Sequence, residues 1–546
     1  MGKRMSSRIF GKKKKPKKPC KIPAPDTVNK AGGRAYSLSS EEVLAKFAVT
    51  GCFGSTYYQS AEEALKEILR LLPECNPSFL EALVKYSKNT GLMKDMPAFL
   101  LAWGVRNHRE HDFRDTFTNT VRNVGDVLRM CKIITSGALG FKNFGSRLRR
   151  MLTNVLLNQP EHKLMFETGN EPSVKDVINL LHPKPNTPAT EEAFRYLAGN
   201  KAEVNKENLS DLAGLILDLN QGNINFSDLS NKAKADLAKN VDLRLFQNWK
   251  LNKKDWETVA QNVNFMTALY NLNTFNRNNA YSNKTAINKA LANLIAGAEK
   301  TKVWPYRVFT AAKNLVPGHP LKDHMTSILQ TIQLRNRDKV NLPKNIALCV
   351  DISGSMHSPI TGTGHSKDST VSNVDVAGIF AALLRDVCEN TEIVLFNTLA
   401  RKFDHNNQNA FALAENISRL CGGGTCCEAS IQYLLKCITK PELVIMISDN
   451  ESWAQYYQPA NSISNRHFGV SSGSSSLQTS WKSYKKAVPK AKLVLLDLTP
   501  NTTTQLLDGD SVLNLAGFND NIIPLISAFA NGDITDFRSI IANAAG

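Results

Sequence analysis

The chain has 546 residues, 42% of them hydrophobic, with 67 Lys and Arg against 49 Asp and Glu for a net charge of +18. That length exceeds what one core serves and predicts two or three domains, while the absence of any run of 18 or more apolar residues excludes a membrane-spanning helix. The charge is uneven: residues 341–546 hold 15 Lys/Arg and 18 Asp/Glu, the remainder 52 and 31. The basic part is therefore the one expected to meet a polyanion, although lysine-rich helices that are merely soluble give the same balance. The ten cysteines form no CxxC pair, and Cys131, Cys349 and Cys388 fall inside apolar segments, where a thiol packs as a small hydrophobe. A reducing, intracellular compartment follows, read as cytoplasmic. The N-terminus lacks the apolar segment of a secretory signal.

In chain order, residues 1–35 read as a disordered basic tail, with Lys, Pro and Gly dominating and the run Lys12 to Lys18 at its centre. Residues 36–340 read as helical. Ser60-Ala-Glu-Glu63 is a capping box, and Ala61, Ala64, Leu65, Ile68, Leu69 and Leu72 then recur at helical spacing before Pro73 stops the helix. Similar segments are predicted near 78–87, 114–134, 146–157, 210–220, 256–272, 285–298 and 306–315. Many moderate helices with short Pro/Asn turns predict stacked pairs.

Two basic clusters lie in this half. Lys142, Arg147, Arg149 and Arg150 form the first. In the second, Ser173 caps a helix with Asp176 three residues on, and Pro183 ends it. Lys175, Asn179 and His182 fall at i, i+4 and i+7 on the side opposite Val177, Ile178 and Leu181, with Lys184 beyond. Lysine, amide and imidazole groups on one stripe can contact phosphates and base edges; a merely solvated face is the other reading. Arg106 to His111 is read as a basic helix that places two histidines at i, i+3.

From 341 to 546 near-continuous apolar strands, 346–350, 393–396, 443–447 and 493–498, alternate with helices near 374–388, 410–420, 428–436 and 522–530. That pattern means an α/β domain whose parallel sheet is buried on both faces. The first strand runs into Asp351-Ile-Ser353-Gly-Ser355. Thr425 follows the run Gly422 to Gly424, and Asp449 ends the third strand. In a parallel sheet these groups converge outside the carboxyl ends of the strands. Carboxylates with hydroxyls suit a hard divalent cation, Mg²⁺ first and Mn²⁺ or Ca²⁺ as alternatives; the pentapeptide alone also reads as a turn. Asp368, Asp375 and Glu451 are read as solvated surface, and the polar run 471–476 as a loop. No HExxH, nucleophile elbow or pair of carboxylates framed for acid/base work is present, so no enzymatic activity is expected.

Asp351, Ser353, Ser355, Thr425 and Asp449 together resemble the metal-ion-dependent adhesion site of von Willebrand factor A domains, in which the cation takes an acidic group from a partner. The residue after the Thr of this motif, commonly Asp, is Cys426. The helical half resembles the TROVE domain of the Ro ribonucleoprotein family, through Cys52-Phe-Gly-Ser-Thr-Tyr-Tyr58, the run Ser173 to Pro185, Gln247-Asn-Trp249 and Pro305-Tyr-Arg307-Val. Some members of that family carry Arg where this chain has Asn179. The resemblance implies a multidomain α plus α/β fold, a ring of HEAT-like helical repeats closed by a Rossmann-like A domain. It also implies Y-like small noncoding RNA on the basic outer surface, 3′ single-stranded ends of misfolded RNA in a central hole, and a role in RNA quality control, with an exoribonuclease as a possible companion. In that reading Lys175, His182 and Lys184 belong to the RNA-contacting helix and its end. A protein–protein adaptor acting through the metal site is the alternative; a metal-dependent nuclease fits poorly, since no two-metal clamp is present.

Overall fold

A computed structural model describes residues 23–51, 54–166, 169–301, 305–337, 341–360, 371–406, 408–454, 476–519 and 521–543. The basic run over 12–18 and the polar run over 471–475 lie outside the described residues.

The helical half forms as its capping chemistry dictates. Ser60 accepts from the Glu63 amide at 3.2 Å while the Glu63 carboxylate accepts from the Ser60 amide at 2.9 Å, opening helix Ala61–Leu71. Two long predicted segments are each divided by an asparagine. Residues 114–134 become Arg114–Thr120 and Val124–Ser136, where Asn123 caps the second helix through the Asp126 amide. Residues 256–272 divide before Phe265–Tyr270, which Asn264 caps. Asparagine caps by offering its side-chain oxygen to an otherwise unpaired amide. Helix Asp95–Asn107, absent from the sequence reading, shows no stripe because every residue from Met96 to Val105 is buried; a helix apolar all round has no period to detect. It ends at Asn107, so residues 106–111 are not the basic helix expected. His108 caps it, Arg106 lies over the Phe141 ring, and His111 pairs with Glu81 at 2.8 Å.

Nine strands are assigned among the described residues: β1 (Thr27–Val28), β2 (Arg34–Ser37), β3 (Asn345–Asp351), β4 (Asn390–Phe396), β5 (Ala400–Lys402), β6 (Leu443–Ser448), β7 (Lys492–Asp497), β8 (Thr503–Thr504) and β9 (Val512–Ala516). Six of them make one sheet in the order β5-β4-β3-β6-β7-β9, parallel except for the antiparallel edge β5. Alternation along β3 explains the two cores. Ile346, Leu348 and Val350 face a core continuous with the helical half; Ala347 and Cys349 face a second core with Leu434, Trp481 and Tyr484. Strand β9 escaped the sequence reading because Asn514 interrupts its apolar run; that amide is buried and satisfied by Asp508 and Leu506.

Both ends of the helical path land on the α/β domain, which closes it into a ring. At one end, helix Ser40–Thr50 contacts β9 and helix Phe537–Asn543. At the other, Lys313 pairs with Asp375 at 2.7 Å, and Gln333 donates to Asp386 at 3.2 Å. The tail boundary at residue 35 needs correction: β1 pairs antiparallel with β2, and β2 pairs with β8 through Tyr36 opposite Thr504. Ala35 and Tyr36 are buried in this junction. Local composition misses it because the pairing partner lies far along the chain.

The deepest link is the ion pair Lys46–Asp497, both side chains at most 3% exposed. Burial lifts the Asp497 carboxyl, and the Lys46 charge opposes that rise. Breaking a buried pair leaves a stranded charge, at a cost of about 3–5 kcal/mol. Lys46→Met is expected to lower stability by about that amount, and Lys46→Met with Asp497→Leu to recover most of it. Urea-unfolding midpoints check this; a double variant as weak as the single one refutes the pair as the cause.

Candidate functional site: a buried carboxylate–hydroxyl centre and two basic helices

Asp351, Ser353 and Ser355 are linked by hydrogen bonds with Asp449 close by, and Thr425 lies in the adjoining loop. Asp351 ends β3 and Asp449 follows β6, so adjacent parallel strands deliver both to one end of the sheet. Asp351, Ser353, Ser355, Thr425 and Asp449 are all buried. Backbone bonds stitch the three loops: Gly354 N–H donates to Gly423 at 2.9 Å, Gly422 N–H to Ile352 at 2.7 Å, and Trp453 N–H to Thr425 at 3.1 Å. Gly423 has φ +87°, open to glycine at little strain. Gly424 is required for another reason: a Cβ there would lie 2.6 Å from the Trp453 ring. Where Asp was expected after Thr425, Cys426 is buried and its amide donates to Asn397 at 2.8 Å, fixing the loop by backbone instead.

The side chains already form a network. Asp351 accepts from the Ser353 amide at 2.8 Å and from the Ser448 hydroxyl at 2.6 Å. The Ser353 and Ser355 hydroxyls lie 3.2 Å apart, and Ser355 also bonds Asp449. Burial, and for Asp351 the neighbouring Asp449 charge, push both carboxyls above the ordinary range. Two desolvated carboxylates beside serine hydroxyls are the donor set a hard divalent cation takes, the remaining positions being water or a partner oxygen. The residues thus fit such an ion. Among the described residues no group of three or more His, Cys, Asp or Glu converges as a metal site.

The sequence reading misplaced two acids. Glu451 and Asp375 are buried, not solvated; Asp368 lies outside the described residues. Glu451 accepts from the Ala31 amide at 3.2 Å, its other oxygen has no partner, and burial with the Asp449 charge lifts it to about 7. Asp375 caps helix Asn373–Val387 with Ser372 and holds Lys313. Asp497 was not singled out at all, yet Asn450 donates to it at 3.4 Å. An acid at the end of each of three neighbouring parallel strands was the available signal.

Of the predicted RNA-contacting residues, Lys142, Arg149, Arg150, Lys175, Asn179, His182 and Lys184 are exposed. Helix Gly145–Leu157 packs against helix Val174–Leu181, so the two clusters occupy neighbouring elements. Two placements differ from expectation. Arg147 is engaged internally, donating to the carbonyls of Arg109 at 3.2 Å and His111 at 2.9 Å. His182 lies past the helix end, capping it with φ +49°, so Lys175 and Asn179 alone share the helical stripe. Missed by sequence is a cleft of about 490 Å³ that gathers Lys163, Lys239, Arg244 and Tyr270 from four separate helical segments; no local pattern joins them.

Residues 345–471 match the family described as the Ro60 vWA domain. A crystal structure of the Ro (RSR) protein of Deinococcus radiodurans has a similar fold, with TM-score 0.56 at 15% identity, covering 91% of this chain and 100% of that one. The first finding marks a von Willebrand factor A domain of the Ro60 type at 345–471, and the second shows a fold shared along the chain.

Divalent affinity is expected to fall as pH drops from about 8 to 5, because metal ligands must release their protons and the Asp351 and Asp449 protons are held more tightly than usual. Asp351→Ala is expected to remove the bound ion. Calorimetric titration with Mg²⁺ at several pH values checks both; pH-independent affinity in the wild type overturns the assignment.

Proposed function

We propose that this Ro-type ring binds structured small noncoding RNA on the basic face built by helices Gly145–Leu157 and Val174–Leu181, without catalysing a reaction on it. The exposed Lys and Arg side chains on these two packed helices carry the reading. Arg149 and Arg150 offer forked donors to phosphate, and Lys175 and Lys184 add point charges nearby. The likeness to a Ro protein and the net positive charge of the helical half support the same reading. Y-like RNA is the proposed ligand of this face, and 3′-tailed misfolded RNA the proposed ligand of the ring opening, in RNA quality control alongside an exoribonuclease.

The A domain holds a divalent cation, Mg²⁺ by preference, on Asp351, Ser353, Ser355, Thr425 and Asp449, and takes a partner's carboxylate there. Bound, the ion supplies the positive charge that the two buried carboxylates otherwise lack. The buried thiols of Cys75, Cys131, Cys349, Cys426 and Cys427 fit a reducing, cytoplasmic setting.

Affinity dominated by phosphate contacts falls with salt. Neutralising Arg149, Arg150, Lys175 and Lys184 to Gln should flatten the slope of log K against log salt by about one per lost contact, while a single-stranded 3′ tail retains affinity through the ring. Filter binding of a stem-loop RNA and a 3′-tailed RNA over a range of salt checks this; unchanged binding of both at moderate salt refutes the face, and failure to bind either refutes the function.

A further inference from the structure

Helices Arg114–Thr120 and Gly145–Leu157 pack side by side and are tied together near both ends. At one end the Arg147 guanidinium forks onto the carbonyls of Arg109 at 3.2 Å and His111 at 2.9 Å, and His111 is itself held by Glu81 at 2.8 Å. At the other end the Gln159 side chain donates to the Arg122 carbonyl at 3.1 Å. Between the two ties lies an open groove of about 870 Å³, within the roughly 300–1,000 Å³ of clefts that take small ligands. Fixed backbone at both ends means that the opening exists before any ligand arrives.

Helical spacing decides what faces it. Arg147, Met151 and Val155 recur every four residues along one stripe, and Arg150, Asn154 and Asn158 along the next. Met151 and Val155 are half-buried and, with the buried Phe117, give the groove an apolar floor. Asn154, Asn158 and Thr118 are exposed and set amide and hydroxyl groups at its edges. On the rim Arg109, Arg114, Arg147 and Arg150 outnumber Glu110 and Asp112, and Asp112 is already taken by Arg114 at 2.7 Å. A convex helix face carrying cations serves phosphate alone. This groove matches a whole nucleotide: the flat face of a base covers an apolar floor, asparagine offers both a donor and an acceptor to its edge, and guanidinium groups meet the phosphate. Bases inside a duplex are stacked and paired, so only an unpaired one can be splayed into such a place.

We propose that the groove between helices Arg114–Thr120 and Gly145–Leu157 receives one unpaired nucleotide, turned out from a bulge or loop of an RNA that lies on the adjoining basic face. This rests on the RNA face proposed above, because Arg149 and Arg150 belong to the same helix. Phosphate contacts position an RNA without reading it; the groove adds a requirement for an unpaired base.

Two RNA hairpins, identical except that one carries a single bulged adenosine, give the test. The wild type is expected to bind the bulged hairpin about tenfold tighter than the fully paired one at the same salt. Asn154→Ala with Asn158→Ala is expected to abolish that preference and leave affinity for the paired hairpin unchanged; both side chains are exposed, so folding is not at stake. A second reading uses the wild type: the ¹³C-labelled methyl of Met151, assigned through Met151→Leu, should move upfield under the ring current of the base with the bulged hairpin and stay in place with the paired one. If both hairpins bind alike, if the double variant keeps the preference, or if the Met151 methyl ignores the bulge, the groove holds no base and the basic face stands. If neither hairpin binds at moderate salt, the face and its groove fall together.

Discussion

Four buried carboxylates crowd the carboxyl ends of three adjacent strands: Asp351 on β3, Asp449 and Glu451 after β6, and Asp497 on β7. Desolvated acids so close cannot all stay charged without compensation. Lys46 answers Asp497, and Lys30 stands beside Glu451. Both lysines come from the first 50 residues, so the electrostatics of the A domain draws the start of the chain onto its end. The ring closes at that junction, and the position of the helical faces follows from it.

The same junction separates two chemistries. Helix Gly145–Leu157, with Lys175 and Lys184 beside it, presents hydrated charge, useful for polyanions and sensitive to salt. The acidic centre is buried, held by hydroxyls and backbone amides, and insulated from salt by that burial. Surfaces of opposite chemistry therefore occupy different parts of one closed frame.

Much of this was legible. Asp351, Ser353, Ser355, Thr425 and Asp449 could be placed because each sits at or just past a strand end or in a glycine-rich loop, where the unbroken apolar run stops and polar chemistry begins. The long strands β3, β4, β6 and β7 were visible as unbroken apolar runs. What escaped detection depends on distant partners. Strands β1 and β2 are short, and β2 is held between β1 and the distant β8; β9 conceals itself behind Asn514; Glu451 looks like an ordinary loop acid until Ala31 and Asp449 surround it. Arg147 has the sequence of a phosphate contact, but two carbonyls in a neighbouring loop have already claimed its guanidinium. Burial and pairing of this sort are set by tertiary structure, and no local window contains them.

Lys46 and Asp497 lie 451 residues apart in sequence. At a synthesis rate of about 5–20 residues per second, the amino end emerges from the ribosome roughly 20–90 s before its partner strand exists. Throughout that wait the future junction exposes an unpaired strand edge at Arg34–Ser37 and an unanswered ammonium at Lys46. The nascent helical path is thus an open horseshoe rather than a ring, and it closes only when the last domain arrives.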